Sequence, residues 1–264
     1  MGSEQEELFG VDPLLTVILP VKNASRKQLY GCVASISSLR YSGDIDLIIV
    51  SSGQIPPVED SLVYCLNSVS VIDMPERGVY SAFNRVLEER LNDYVLFLGI
   101  DDLVLPGLDT VIAQLIKTRD RPEIVACYAL MENVGLVGPR HLRGSLILAN
   151  WCQQGLLYKS DLFMNRKFDT QYPVRADHKF NLQVAGDRRN RIMYRREVVS
   201  YFGGEGISSR IYDYKFSQDM PTIVQESFGA PYGWFALVAK FLARFVKFRL
   251  YVRRKVDGDT GPGF

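Results

Sequence analysis

Apolar and polar positions alternate along the first half of the chain in the rhythm of an α/β sheet protein. Short apolar runs predict buried strands, and between them apolar residues recur at the spacing of amphipathic helices. Strands that alternate with helices through short connections favour a mostly parallel central sheet with helices on both faces. The predicted strands are 14–21, 46–50, 68–74, 94–99 and 123–131, and the predicted helices are 25–39, 79–91 and 106–117.

The alternation becomes irregular after residue 132. Glycines and a proline cluster over 135–144, and glycines cluster again over 203–206. The chain shows no internal repeat and no low-complexity linker. We therefore interpret the second half as an elaboration of the same domain and not as a separate unit.

Composition and charge narrow the class of protein. The 264 residues suffice for one large α/β domain, and a hydrophobic content of 47% supports a sizeable core. Because 31 basic residues balance 30 acidic ones, we expect no nucleic-acid partner. The four cysteines are widely separated and form no CxxC pair, which predicts reduced thiols in the cytoplasm and no zinc site. We also expect no signal peptide at the acidic N-terminus and no membrane-spanning run.

Two adjacent carboxylates follow the fourth predicted strand. The apolar run 94–98 stops at Gly99, and Asp101 and Asp102 come shortly after it. Ligands of open α/β sheets lie at the carboxyl ends of the strands, and hard oxygen ligands suit Mg²⁺ or Mn²⁺ holding a diphosphate. The alternative interpretation is a capped turn leading into the next helix.

The first strand lacks a glycine-rich phosphate loop. It ends in 19–23 (LPVKN), and neither GxGxxG nor GxxxxGK[ST] follows it. Phosphate binding by backbone amides therefore has no sequence sign, and a divalent cation on carboxylates is the remaining route. The same absence argues against a nucleotidyltransferase on a similar sheet.

Seven short segments follow one another in an order and spacing that carry a family resemblance. They are 16–21 (TVILPV), 48–53 (IIVSSG), 76–84 (ERGVYSAFN), 97–103 (FLGIDDL), 154–155 with 159–163 (QG and KSDLF), 175–178 (RADH) and 203–208 (GGEGIS). This set resembles the family-2 inverting glycosyltransferases of the GT-A fold, and within them the bacterial enzymes of capsule, colanic acid and O-antigen synthesis. The stretch 78–84 is the most diagnostic part.

The resemblance implies the GT-A fold and the transfer of a sugar, with inversion, from a UDP- or GDP-sugar to a surface-polysaccharide or lipid-linked glycan acceptor. It implies a Mn²⁺ or Mg²⁺ ion held by Asp102 and a general base, Asp177, that deprotonates the acceptor hydroxyl. The residues expected to bind the donor are Pro20, Ser51, Glu76, Arg77, Asn84 and Asp101, and those expected on the acceptor side are Trp151, Gln154 and His178.

The chain departs from the family pattern at several acidic positions. Ser51 and Ser81 stand where the family usually has Asp, Glu76 replaces an Asp, and Ile100 occupies the first position of a D-x-D motif. These departures leave open a second hypothesis, a GT-A-shaped binding or scaffold subunit of a glycan assembly complex.

Several candidate residues also have a structural interpretation. Asp177 is equally compatible with a solvated helix start, and Trp151 with a packing role. His178 is more typical of an ordinary surface or half-buried histidine, and Phe83 of a core residue.

The C-terminal segment 234–256 carries seven Lys or Arg and no acid, with apolar residues at helical spacing between them. This pattern predicts a helix in a membrane interface with bases near anionic headgroups, peripheral at the inner face of the cell membrane. The alternative is a helix packed on the domain with its bases reaching solvent. The predicted organisation is an N-terminal extension (1–13), a transferase domain (14–230) with a donor half (14–132) and an acceptor half (133–230), the basic helix (231–256) and a flexible tail (257–264).

Overall fold

A computed structural model of the chain describes residues 13–74, 78–203 and 211–239. Strands and helices alternate through the first half as expected. In chain order they are β1 (Leu15–Val21), α1 (Arg26–Ser37), β2 (Ile45–Ser51), α2 (Asp60–Val63), β3 (Ser68–Asp73), α3 (Val79–Val86) and β4 (Tyr94–Phe97).

The second half contains both short and long strands between its helices. The elements are β5 (Leu103–Val104), α4 (Gly107–Lys117), β6 (Ile124–Met131), β7 (Gly135–Val137), β8 (Leu156–Lys159), α5 (Ala176–Gly186), β9 (Ile192–Phe202) and α6 (Tyr214–Phe228), followed by a helical stretch, α7, over 230–239.

These strands form one sheet in the order β3-β2-β1-β4-β8-β6-β9-β5, with β7 beside β6. The first four are parallel to one another. The sheet is mixed beyond them, because β8 enters antiparallel between β4 and β6, while β9 runs parallel to β6. The expected α/β architecture is confirmed, and its parallel part is the β3-β2-β1-β4 half.

Helices cover both faces of the sheet, which accounts for the apolar runs in its central strands. Successive residues of β1 point to opposite faces, so Ile18 joins the core beneath α3, α5 and α6. Val17 and Leu19 join the core beneath α1 and α4. A strand buried on both faces reads as a continuous hydrophobic run.

Local sequence signals set the helix boundaries. Ser25 and Gln28 form a reciprocal capping box at the start of α1. Gly78 precedes α3 with φ of 117°, a left-handed conformation that favours glycine. The predicted helix 79–91 ends at Val86, because the amides of Glu88 and Glu89 bond carbonyls three residues back and tighten the turn.

Some expectations fall on parts of the chain that the structure does not describe. Glu76 and Arg77, the glycine-containing loop 204–210, residues 1–12 of the N-terminal extension, the basic segment 240–256 and the tail 257–264 lie outside the described residues. Across the described ranges, none of the helices combines the length and the apolar composition needed to cross a bilayer.

Candidate functional site

The turn after β4 holds its two adjacent carboxylates in different environments. Asp102 is fully buried. Its Oδ2 accepts a hydrogen bond from the Gly99 amide at 2.5 Å, and its Oδ1 accepts one from the Gly203 amide at 3.3 Å. The Gln154 side chain donates to the same carboxylate. Burial raises the pKa of Asp102 to about 6, while these donors act in the opposite direction.

This geometry makes Asp102 a less accessible metal ligand than its neighbour Asp101. Both of its oxygens accept backbone hydrogen bonds inside the protein, so turning either one outward would leave a buried amide unpaired. The side chain folds back onto its own turn, where the Asp102 amide also bonds the Gly99 carbonyl at 3.1 Å. Asp102 therefore shapes the turn that presents its neighbour.

Asp101 is the carboxylate of the pair that remains partly exposed. It lies against Gly203, where an added Cβ would come within 2.7 Å of the Asp101 carbonyl oxygen and 3.2 Å of its Oδ2. Gly203 thus leaves the space that lets this carboxylate sit at the sheet edge. Over residues 13–74, 78–203 and 211–239, no group of three or more His, Cys, Asp or Glu converges as a ready-made metal site.

Two expected donor-binding residues lie at the same edge of the sheet. Pro20 and Ser51 stand at the carboxyl ends of β1 and β2, which lie beside β4 in the parallel part of the sheet. Ser51 is buried, and its hydroxyl donates to the Gly53 carbonyl at 2.9 Å. The fold therefore brings Pro20, Ser51 and Asp101 to one edge, with the Ser51 hydroxyl engaged in its own loop.

Asp177 lies in the first turn of α5 and is only 8% exposed, so the interpretation as a solvated helix start is wrong. Its Oδ1 accepts from the Tyr80 hydroxyl at 2.8 Å, and its Oδ2 accepts from the Asn150 amide group at 2.5 Å. Burial raises the pKa of Asp177, and the Tyr80 and Asn150 hydrogen bonds counter part of that rise. A buried carboxylate with raised pKa suits proton transfer.

The expectation that Asn84 binds the donor is not supported. Its Nδ2 donates to the Phe168 carbonyl at 2.8 Å, and its Oδ1 accepts from the Phe168 amide at 2.9 Å. The side chain thus fastens α3 to the segment that leads into α5. Asn84 lies one helical turn after Tyr80, so the diagnostic stretch 78–84 supports Asp177 from two positions.

Two of the three acceptor-side candidates are packing residues. Trp151 is buried, donates weakly to the Ser145 hydroxyl at 3.4 Å and packs edge-on against Tyr194. His178 is buried against Phe216, and its Nε2–H donates to the Leu146 carbonyl at 2.6 Å. Burial lowers the pKa of His178 to about 4, so the ring is neutral and held by the fold.

Gln154, the third candidate, connects the two carboxylate centres. Its amide donates to Asp102, while Asn150, four residues earlier, donates to Asp177. Four residues span at most about 14 Å between their Cα atoms, so the two acids lie near the ends of one short segment. Cys152, in the middle of that segment, is within electrostatic range of both.

Sequence reasoning did not single out Asn150, and it placed Tyr80 and Gly203 only within the resembling segments 76–84 and 203–208, without a role. Asn150 reaches Asp177 from a position 27 residues away in sequence, so no local pattern marks it. Tyr80 had one available signal, because it stands one turn before Asn84 in the diagnostic stretch.

The chain is similar to known proteins in sequence. Residues 16–200 match the family described as glycosyl transferase family 2. A PGL/p-HBAD biosynthesis glycosyltransferase of Mycobacterium tuberculosis is 27% identical over 219 residues, which cover 79% of this chain and 84% of the relative. A protein of the same name from Mycobacterium bovis matches equally well.

Solved structures share the architecture at low identity. S. aureus TarS in complex with UDP-GlcNAc superposes with a TM-score of 0.60 at 16% identity, covering 81% of this chain and 67% of that one. The mannosyltransferase PcManGT from Pyrobaculum calidifontis, in complex with GDP-Man and Mn²⁺, gives 0.55 at 16% identity, covering 94% and 83%. The match spans 39% of a longer TarS chain. At these identities the likeness shows the fold alone.

Proposed function

The chain belongs to glycosyl transferase family 2 and has the GT-A fold, and from this premise we propose that it is a metal-dependent, inverting enzyme. It moves a hexose-type sugar from a UDP- or GDP-sugar to a surface-polysaccharide or lipid-linked glycan acceptor in a bacterial cell. The neighbours that bind UDP-GlcNAc and GDP-Man support a nucleotide-sugar donor.

The observation that carries this proposal is the pairing of two acidic centres across the segment 150–154. One end of that segment contacts Asp177 and the other contacts Asp102, next to the partly exposed Asp101. A sugar transfer needs one group to receive the acceptor proton and another to hold the leaving diphosphate. The two carboxylate centres joined by this short segment supply one group for each end of such a reaction.

We assign the metal-binding role to Asp101 in place of Asp102. Mg²⁺ and Mn²⁺ sites for phosphates commonly use one or two protein carboxylates, with waters and the substrate's own oxygens as the other ligands. A partly exposed carboxylate at a strand end fits that donor set. The PcManGT structure, in complex with GDP-Man and Mn²⁺, supports a divalent ion beside the donor. When bound, the ion offsets the negative charge that develops on the departing nucleoside diphosphate.

Asp177 acts as the general base. Its carboxylate takes the proton from the acceptor hydroxyl while that oxygen attacks the anomeric carbon from the face opposite the leaving group. The bond to the diphosphate oxygen breaks in the same displacement, and the nucleoside diphosphate departs with the bonding electrons. One such displacement inverts the anomeric configuration, so the chain needs no protein nucleophile.

The expected organisation becomes part of the proposal. Residues 14–132 form the donor half, with Pro20, Ser51 and Asp101 at its sheet edge, and residues 133–230 form the acceptor half around Asp177. The basic segment 231–256 contacts an anionic membrane surface beside a lipid-linked acceptor. Its described first turns already carry exposed Trp234 and Phe235, 68% and 51% accessible.

A donor panel tests the assignment of activity. Purified protein is incubated with UDP-glucose, UDP-GlcNAc or GDP-mannose and Mn²⁺, and release of the nucleoside diphosphate is followed with water as the acceptor. We expect release from at least one donor, its loss on chelation, and its loss in Asp177→Asn. Silence across the panel, together with no donor heat in calorimetry, would contradict the proposal.

A further inference from the structure

The carboxylate of Asp177 lies within a largely buried chain of hydrogen bonds that connects three elements, α3, α5 and β8, and the loop that carries Asn150. Tyr158 in β8 donates to Asn181 Oδ1 at 2.8 Å, and Asn181 Nδ2 donates to Asn150 Oδ1 at 3.0 Å. Asn150 then donates to Asp177, which also receives the Tyr80 hydroxyl. Because each amide in the chain is oriented by the next, the direction of donation toward Asp177 Oδ2 is fixed.

The Tyr80 hydroxyl differs from Asn150 because it has two acceptors. It lies 2.8 Å from Asp177 Oδ1 and 3.0 Å from the Val174 carbonyl oxygen, yet it carries one proton. When Asp177 is ionised, the Tyr80 hydroxyl donates its hydrogen bond to Asp177. A protonated Asp177 is able to donate to the Tyr80 oxygen instead, while the hydroxyl proton turns to Val174.

We propose that Tyr80 and Asn150 are positioning residues for Asp177: Asn150 holds Oδ2, and the Tyr80 hydroxyl turns between Asp177 and the Val174 carbonyl as the carboxyl group gains and loses the acceptor proton. This inference rests on the proposed role of Asp177 as the base. When Asp177 gains or loses the acceptor's proton, only that one proton is transferred. In both states every buried hydrogen-bond donor keeps an acceptor. Each carboxylate oxygen retains a second lone pair, so one remains to receive the acceptor proton.

The other titratable groups around Asp177 stay in one charge state near neutral pH. Tyr158 and Cys152 remain neutral because burial raises the pKa of both groups, to about 12 for Cys152. His178 remains neutral because burial lowers its pKa to about 4. The positive charge of Arg175 favours the ionised form of Asp177. Asp102, at the other end of the segment 150–154, has a pKa raised by burial to about 6, so the titration of Asp177 is identified by its absence in Asp177→Asn.

The test compares Tyr80→Phe and Asn150→Ala with matched controls. Tyr94→Phe removes a buried hydroxyl that donates to the Pro122 carbonyl at 2.6 Å on the other face of the sheet. Asn92→Ala removes an amide that donates to the Asp46 carboxylate at 2.9 Å. Thermal unfolding is recorded for every variant. Asn150→Asp, which preserves side-chain size, stands in if Asn150→Ala does not fold.

Two readouts follow Asp177 directly. The first is the pH dependence of nucleoside diphosphate release from the active donor with Mn²⁺. The second is the infrared carboxyl titration that is present in wild type and absent in Asp177→Asn. We expect Tyr80→Phe and Asn150→Ala to move the acidic limb and the infrared titration upward by about one pH unit each. The controls leave both in place, and Asn150→Asp gives the larger shift because two carboxylates then share the site.

The outcomes separate this inference from the proposed function. If Asp177→Asn abolishes release while both readouts stay at the wild-type pH in Tyr80→Phe and Asn150→Ala, the positioning role is wrong and the base role stands. A uniform loss of rate at every pH, with no shift of the limb, is the behaviour of merely structural residues and also overturns it. If Asp177→Asn retains full release, the base role fails and the inference falls with it.

Discussion

Asn84 and the backbone of Phe168 hold each other through two hydrogen bonds, at 2.8 and 2.9 Å, that span 84 positions of sequence. The amide of one side chain supplies both the donor and the acceptor. These bonds fasten α3 to the segment before α5, which carries Asp177. Asn84 therefore acts on the site through the fold and not through contact with a donor.

Replacing Asn84 by Ala leaves the Phe168 amide and carbonyl without their partner. We expect the free energy of unfolding, measured in urea, to fall by about 2 kcal/mol, since an unpaired buried group costs on the order of 1–3 kcal/mol. The affinity for UDP-GlcNAc or GDP-mannose with Mn²⁺, measured by calorimetry, stays at its wild-type value.

Asn190→Ala is the matched control, because Asn190 makes one such bond, to the Val184 carbonyl at 2.9 Å. It is expected to cost less than Asn84→Ala. If Asn84→Ala leaves the free energy of unfolding unchanged but weakens donor binding, then Asn84 is a donor-binding residue.

The parallel half of the fold was predictable because its strands are buried on both faces. Residues of β1 and β4 are nearly all inaccessible, so their sequences are continuous apolar runs. By contrast, β9 is only half-buried over most of its length and contains an Arg195–Glu197 ion pair. Its sequence therefore has no continuous apolar run, and the hydrophobic pattern predicts no strand there.

The candidate site was predictable to the level of its acidic segments but not of its individual oxygens. An apolar run that stops at two acids marks a strand end. Which acid faces outward is decided by the Gly203 amide, which reaches Asp102 from 101 positions away. Likewise, the partner of Asp177 is Asn150, on a different segment. Contacts of this kind leave no periodic signal in the sequence.

His178 predicts a pH dependence of stability. Burial lowers its pKa from 6.5 to about 4, so the unfolded chain takes up a proton at a higher pH than the native one. The stabilisation is therefore fully present above about pH 6.5 and is lost as the pH falls toward 4. We expect the unfolding free energy of wild type relative to His178→Gln to drop by about 3 kcal/mol between pH 7 and pH 4.

Gln keeps a donor for the Leu146 carbonyl but does not titrate. In the control, the unfolding free energies of wild type and His141→Gln, which replaces the other histidine, are compared over the same pH range. A wild-type-to-His178→Gln difference that stays constant across this range would show that the ring is not enclosed as described.

The exposed residues at the start of the basic segment predict binding to anionic membranes. Trp234 and Phe235 stand out of α7, and the seven bases over 234–256 favour negative headgroups. We expect the full chain to co-sediment with phosphatidylglycerol vesicles, less so at high salt, and the double variant Trp234→Ala/Phe235→Ala to bind several-fold more weakly.

Tyr64→Ala is the control for a generally exposed aromatic residue, since Tyr64 is 81% accessible elsewhere on the surface. Equal binding to neutral phosphatidylcholine vesicles, or no binding to either kind, would contradict the membrane assignment.

The two adjacent acids predict opposite phenotypes for one conservative change. Asp101→Asn removes the charge of the partly exposed carboxylate, so we expect Mn²⁺-dependent donor turnover to fall by about 100-fold with little change in the unfolding temperature.

Asp102→Asn places an amide donor against one of the two backbone N–H groups that donate to Asp102. We expect it to lower the free energy of unfolding by about 2 kcal/mol while the Mn²⁺ concentration needed for half-maximal turnover changes less than in Asp101→Asn. Turnover titrated with Mn²⁺, recorded beside urea unfolding for both variants, distinguishes the roles. The reverse pattern, a stable Asp102→Asn that has lost its metal response beside an active Asp101→Asn, would mean that the Asp102 side chain leaves its backbone partners to meet the ion.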